Sequence, residues 1–203
     1  MGNSFVLASS NPGKLREFQA LLAPMGAEIA ALSAFTATQA DETGATFLEN
    51  ALIKARHAAL CSGLPAIADD SGLEVDALAG APGVRSARFA GPDADDAANN
   101  AKLLQALSCV PEAQRLARFR CVLVFLRHAD DASPVIAQGV WVGRIALSPG
   151  GRGGFGYDPL FFLPELGCTA AELESEIKNR LSHRGQAVRA LLAQLREVLG
   201  ILE

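Results

Sequence analysis

The chain has 203 residues, half of them apolar and a fifth charged, with a formal net charge of −4. This is the composition of a folded globular protein, and the length predicts a single domain over residues 1–203 rather than a string of modules. An acidic balance without any Lys/Arg run argues against nucleic acid as a partner, and no apolar run reaches the length of a membrane span.

Taken in order, Met1 to Lys14 lacks the basic flank and long apolar stretch of a signal peptide, so a cytoplasmic location is expected. Phe5 to Ala8 is a short apolar run that stops at Ser9-Ser10-Asn11-Pro12-Gly13. Leu15, Phe18, Leu21 and Leu22 follow at helical spacing, so strand, polar turn and helix are predicted. Glu28 to Leu32 has the character of a second strand. Thr46-Phe47-Leu48-Glu49 is a capping box whose helix should run to about Cys61, with Gly63 as its stop. Pro65 to Ala68 predicts a buried strand ending at Asp69-Asp70-Ser71-Gly72, with Leu73 to Leu78 a possible extended continuation. Ala97 to Leu107 is read as a helix. Leu116 to Arg127 and Val135 to Leu147 are read as a hairpin of strands. Gly150 to Pro159 is too rich in glycine to be anything but a loop. Thr169 to Glu172 is a second capping box, and Gln186 to Leu199 predicts an amphipathic helix with Val188, Leu191, Leu192 and Leu195 inward. The four cysteines, Cys61, Cys109, Cys121 and Cys168, have neither disulfide-framework nor zinc spacing and are expected to be reduced and mostly buried. The fold class is α/β with a mixed, twisted sheet and flanking helices.

Several segments have the residue types that chemistry needs. Ser9, Ser10, Asn11, Pro12, Gly13 and Lys14 lie where a strand hands over to a helix, and free backbone N–H groups plus a lysine suit a phosphate. The turn is not a Walker A loop, since Leu15 stands where Ser or Thr should follow Gly-Lys, and an ordinary strand–helix turn accounts for the same residues. Asp69 and Asp70 are adjacent on a strand and must point to opposite faces. A carboxylate there can hold Mg²⁺ or orient a water, and closing a turn before Gly72 is the alternative. Asp41-Glu42 offers a second carboxylate, or merely an acidic helix approach. Lys54, in a helix four residues after Asn50, reads in isolation as a solvated side chain. In the glycine loop, Phe155 can stack on a base and Asp158 can accept from ring N–H groups, unless Phe155 simply packs into the core. Lys178 and Ser182-His183-Arg184 present donors that suit the keto oxygens of hypoxanthine or xanthine.

Six stretches in one order closely resemble the noncanonical purine NTP pyrophosphatase family, also called the inosine triphosphatase family. They are 7–14, 42–51, 66–73, 80–89, 153–159 and 182–184, and they span nearly the whole chain. The resemblance implies an α/β fold of two lobes around a central substrate cleft, a homodimer, Mg²⁺, and a purine nucleoside triphosphate substrate such as ITP, dITP or XTP. By position it implies that Ser9 to Lys14 and Lys54 meet the triphosphate. Asp70 would be both metal ligand and proton acceptor, Glu42 a second metal carboxylate, and Ser71 a neighbour of the substrate. Phe155, Gly156, Tyr157, Asp158, Lys178, His183 and Arg184 would form the base pocket. Ser9-Ser10 departs from the Thr-Gly frequent in the family, which affects the details of phosphate contact. The Maf family of nucleotide pyrophosphatases opens similarly, but with a pair of arginines after Ser-Pro where Pro12-Gly13-Lys14 stands here. A nucleotide sensor, which would bind ITP without consuming it, is the rival from outside the enzymes.

Overall fold

The structure, a computed structural model, describes residues 4–9, 15, 18–19 and 28–199. The turn at Ser10, Asn11, Pro12, Gly13 and Lys14 lies outside the described residues, as does most of the helix expected after it. Among the described residues, seven strands form one sheet. These are β1 (Ser4–Leu7), β2 (Glu28–Ala31), β3 (Ala66–Val75), β4 (Leu116–Leu126), β5 (Val135–Ile145), β6 (Phe161–Leu163) and β7 (Cys168–Thr169). Their order across the sheet is β2-β1-β3-β4-β5-β6-β7. β1 pairs parallel with β2 and β3, whereas β5–β6 and β6–β7 are antiparallel, so the sheet is mixed as expected. Among the described residues the complete α-helices are α1 (Phe47–Ser62), α2 (Asp96–Ala106), α3 (Ser175–Leu181) and α4 (His183–Leu199).

The chain divides into two compact units, and β3, β4 and β5 each begin in one and end in the other. In the first unit (Met1–Asp70, Cys121–Gly139 and Arg184–Glu203), Phe5, Leu7, Phe18, Ile67, Leu123 and Phe125 pack with Val188, Leu191 and Leu195. Burial of each such side chain contributes roughly 1.5–3 kcal/mol. The run Cys121–Leu126 is buried at every position, as its unbroken apolar sequence requires of a strand covered on both faces. Helix α1 turns Ala51, Ala55, Ala58 and Ala59 inward, and side chains this small let the helix axis approach the sheet closely. In the second unit (Ser71–Arg120 and Val140–His183), the core joins Leu73, Leu103, Phe119, Trp141, Tyr157 and Phe161. Here Phe119 and Trp141 lie against Phe161 with ring centroids 4.5 and 5.3 Å away.

Three expectations need correction. β3 does not end at Asp69–Gly72 but runs to Val75, because pairing in the sheet overrides the turn chemistry of Asp-Ser-Gly; the carboxylates therefore sit in mid-strand. The last helix begins at His183 rather than Gln186, and α3 precedes it, separated by the extended Ser182. Only Cys121 is buried; Cys109 is exposed and Cys61 and Cys168 are intermediate.

Candidate functional site

Two clusters of polar side chains stand out, one in each unit. In the first unit the local sequence builds α1 firmly. Thr46 accepts the Glu49 backbone N–H, and the Glu49 carboxylate accepts the N–H groups of Thr46 and Ala45. Gly63 closes the far end in the left-handed conformation. Asn50 and Lys54, one turn apart, project together from that helix toward β3. Lys54 Nζ donates to Asp70 Oδ1 at 2.8 Å and pairs with Glu42 Oε1 at 3.3 Å, with only 13% of its side chain exposed. Asn50 Nδ2 donates to the other Asp70 oxygen at 3.3 Å, while Asn50 Oδ1 accepts from the Gly44 N–H at 2.8 Å. This one amide ties the acidic approach segment to the strand carboxylate. Asp69, on the other face of β3, forms a buried ion pair with Arg184 of α4, Oδ2 to Nε 3.8 Å.

Burial pushes the Asp70 carboxyl above the ordinary carboxylate range; the contact with Lys54 opposes this, and the Glu42 and Asp69 carboxylates reinforce it. Burial acts to lower the Lys54 ammonium, but Asp69, Asp70 and Glu42 together more than offset it, so Lys54 stays protonated. The arrangement is a cation held between two carboxylates. Among the described residues no cluster of three His, Cys, Asp or Glu forms a metal cage. Two carboxylates facing a position occupied by positive charge nonetheless fit Mg²⁺, which takes few protein oxygens and fills the rest of its shell with water and phosphate.

The second unit contains the glycine loop. Asp158, buried, accepts hydrogen bonds from the Phe155 N–H at 2.8 Å and from Lys178 Nζ at 2.6 Å through the same oxygen, Oδ2. The ammonium of Lys178 also lies 4.6 Å from the Phe155 ring centroid. Tyr157 donates its hydroxyl to the Ser86 carbonyl at 2.7 Å. His183 stacks on Phe119 at 4.8 Å between ring centroids. The structure thus gathers Phe155, Asp158 and Lys178 in this unit and Glu42, Lys54 and Asp70 in the first, where Arg184 pairs instead with Asp69. Ser9 is described and Ser71 continues β3 just past Asp70. Sequence reasoning did not anticipate the Asn50 bridge or the Asp69–Arg184 pair. The spacing of Asn50 and Lys54 was the one signal available for the bridge.

Comparison with known proteins is consistent over the whole length. A family model described as the Ham1 family matches residues 5–194. The dITP/XTP pyrophosphatase of Photorhabdus laumondii is 57% identical over 191 residues, covering 94% of this chain and 97% of the relative. That of Thioalkalivibrio sulfidiphilus is 60% identical over 190 residues, with coverage of 94% and 97%. The solved structure of a HAM1 protein from Coxiella burnetii superposes with a TM-score of 0.89 at 48% identity, covering all of both chains.

Proposed function

The chain belongs to the Ham1 family, and from that premise we propose that it hydrolyses noncanonical purine nucleoside triphosphates (dITP, ITP and XTP) to the monophosphate and pyrophosphate. The observation that most supports the reading is Lys54 held between Asp70 and Glu42, a charge arrangement suited to a polyphosphate and its metal. In this reading the two units act as one functional domain, a cytoplasmic homodimer that cleanses the nucleotide pool.

Water attacks the α-phosphorus, the bond to the bridging oxygen breaks, and pyrophosphate departs. Asp70, oriented by Lys54 and Asn50, takes the water's proton. Asn50 holds the second Asp70 oxygen in place. Lys54, kept protonated by its carboxylates, meets the charge growing on the leaving group, with the backbone N–H groups and Lys14 of the Ser9–Lys14 turn assigned the same role. Asp70 and Glu42 would hold Mg²⁺, which when bound neutralises polyphosphate charge and acidifies water. Ser71 borders the substrate.

Base selection falls to Phe155, Gly156, Tyr157, Asp158, Lys178, His183 and Arg184. A purine with a 6-keto oxygen accepts from Lys178 or Arg184. The 6-amino group of adenine would face those donors with a donor of its own, a mismatch that discriminates against ATP.

The test is pyrophosphate release from dITP, XTP, ITP, ATP and GTP, with Mg²⁺ and with EDTA. Fast turnover of the first three, abolished by EDTA and by Asp70→Asn, is the expected result. Full activity in Asp70→Asn would remove Asp70 from catalysis, and dITP binding without pyrophosphate release would replace the hydrolase with a sensor.

A further inference from the structure

The glycine loop is gripped from outside by a helix that contributes none of the residues assigned to the base pocket. Helix α2 starts after Asp95, whose carboxylate caps it by accepting the Ala98 N–H. Its first residue, Asp96, accepts the Gly156 N–H on Oδ2 at 2.6 Å. One turn later Asn100, only 9% exposed, donates from Nδ2 to the Gly156 carbonyl at 2.8 Å and to the Asp96 carbonyl at 2.7 Å. Both polar groups of Gly156 are thus held by side chains at positions i and i+4 of one helix. The two carbonyls fix the orientation of the Asn100 amide, since only its nitrogen can serve both; Oδ1 has no hydrogen-bond partner among the described residues. A buried amide with half its capacity unused is costly to keep for packing alone.

Gly156 lies between Phe155 and Tyr157 and takes φ +61°, a conformation with few local restraints of its own. What it gains from α2 passes directly to Phe155, whose N–H is bonded to Asp158 and whose ring lies beside Lys178. We propose that Asp96 and Asn100 are positioning residues: they fix the Gly156 peptide and thereby hold Phe155, Asp158 and Lys178 in the geometry that discriminates between purines. This rests on the base-selection role proposed above. Neither residue needs to touch the substrate.

The experiment uses the full chain with Asn100→Ala, Asp96→Ala and Asp96→Asn, measuring kcat and KM for dITP, XTP and ATP together with melting temperature. An Asn at 96 keeps an acceptor for the Gly156 N–H, so Asp96→Asn should stay near wild type. The two alanine variants should raise KM for dITP and XTP by about tenfold, the loss of one well-placed hydrogen bond's worth of loop order. Most of the loss should fall on KM, because the phosphate-binding cluster is untouched, and the preference for dITP over ATP should narrow. Unchanged KM in both alanine variants, a fall confined to kcat, or equal damage in Asp96→Asn and Asp96→Ala would overturn the proposal. If Asn100→Ala does not fold, Asp96→Ala, on an exposed first helical turn, decides alone. A wild-type chain that releases no pyrophosphate would sink the hydrolase reading only. The positioning role is then read from dITP affinity by calorimetry, where the same alanine variants must bind about tenfold more weakly.

Discussion

Gly154 and Gly156 form a matched pair that separates backbone strain from steric collision. Both have positive φ, +74° and +61°. Alanine at either position costs about 1–2 kcal/mol for the left-handed conformation. At Gly156 nothing lies within 4 Å of the added Cβ, so the cost ends there. At Gly154 the Cβ would lie 2.9 Å from Asp158 Cγ and 3.0 Å from Asp158 Cβ, and would collide with the Oδ2 that receives Phe155 and Lys178. The Asp158 backbone cannot shift away. Its N–H donates to the Phe155 carbonyl, and its own carbonyl accepts from Phe161 and Ala171. The carboxylate must therefore leave Lys178, and breaking a buried pair costs about 3–5 kcal/mol. In a protein of this size each kcal/mol lowers Tm by about 2–4 °C. Gly156→Ala should then lose roughly 2–8 °C and Gly154→Ala roughly 8–28 °C in scanning calorimetry. Equal losses in the two variants would refute the claim that the Asp158 backbone is fixed and that its pairing with Lys178 is a large part of the loop's stability.

Further outcomes test the scaffold. Thr46→Ala removes the acceptor for the Glu49 N–H and should lower stability by about 1 kcal/mol, read as a fall in the urea midpoint. An unchanged midpoint would mean that the sheet alone holds α1 in place. Asp131 accepts from the Arg127 side chain and from the backbone N–H groups of Arg127 and Ser133, which hold its carboxyl far below the ordinary range despite opposing burial. The ionised form is therefore the one the fold favours. Its contribution is present above the unfolded pKa near 4 and is lost as pH falls toward the depressed folded value. The Tm gap between wild type and Asp131→Asn should accordingly be full at pH 7 and shrink below about pH 4; a gap independent of pH would contradict the assignment.

Features encoded in a few neighbouring residues are legible in the amino-acid sequence. The Thr46–Glu49 box and the Gly63 stop delimit α1 within one residue, because capping is local chemistry. The Phe-, Val- and Leu-rich run and the apolar segment that follows it likewise locate β4 and β5. Legibility fails where distant partners decide. Ser71-Gly72 reads as a turn until neighbouring strands extend it, and α3 is too short to show a period of its own. Adjacency implies that Asp69 and Asp70 face opposite ways, but not that Arg184 and Lys54 would meet them. The loop at Gly150 to Pro159 is evident from its glycines, whereas the grip of Asp96 and Asn100 is not, since nothing in an ordinary helix start announces a tertiary acceptor. Cys109 shows the limit of composition: free thiols are commonly buried, yet this one is exposed.

The opposed carboxylates of β3 also bear on how the chain finds its fold. Ala66, Ile67 and Ala68 are buried on both faces of the sheet, so turning the strand over exposes no oil to water and conceals none. Hydrophobicity alone leaves its alignment degenerate. The charges do not. A slip one residue in one direction would offer Asp69 to Lys54 and Ala68 to Arg184; a slip in the other would offer Asp70 to Arg184 and Ser71 to Lys54. Each misalignment takes from one cation the aspartate that faces it here, and burial makes that loss costly. Two adjacent aspartates thus work as a two-pin key, admitting a single alignment of a strand whose greasy neighbours would tolerate several.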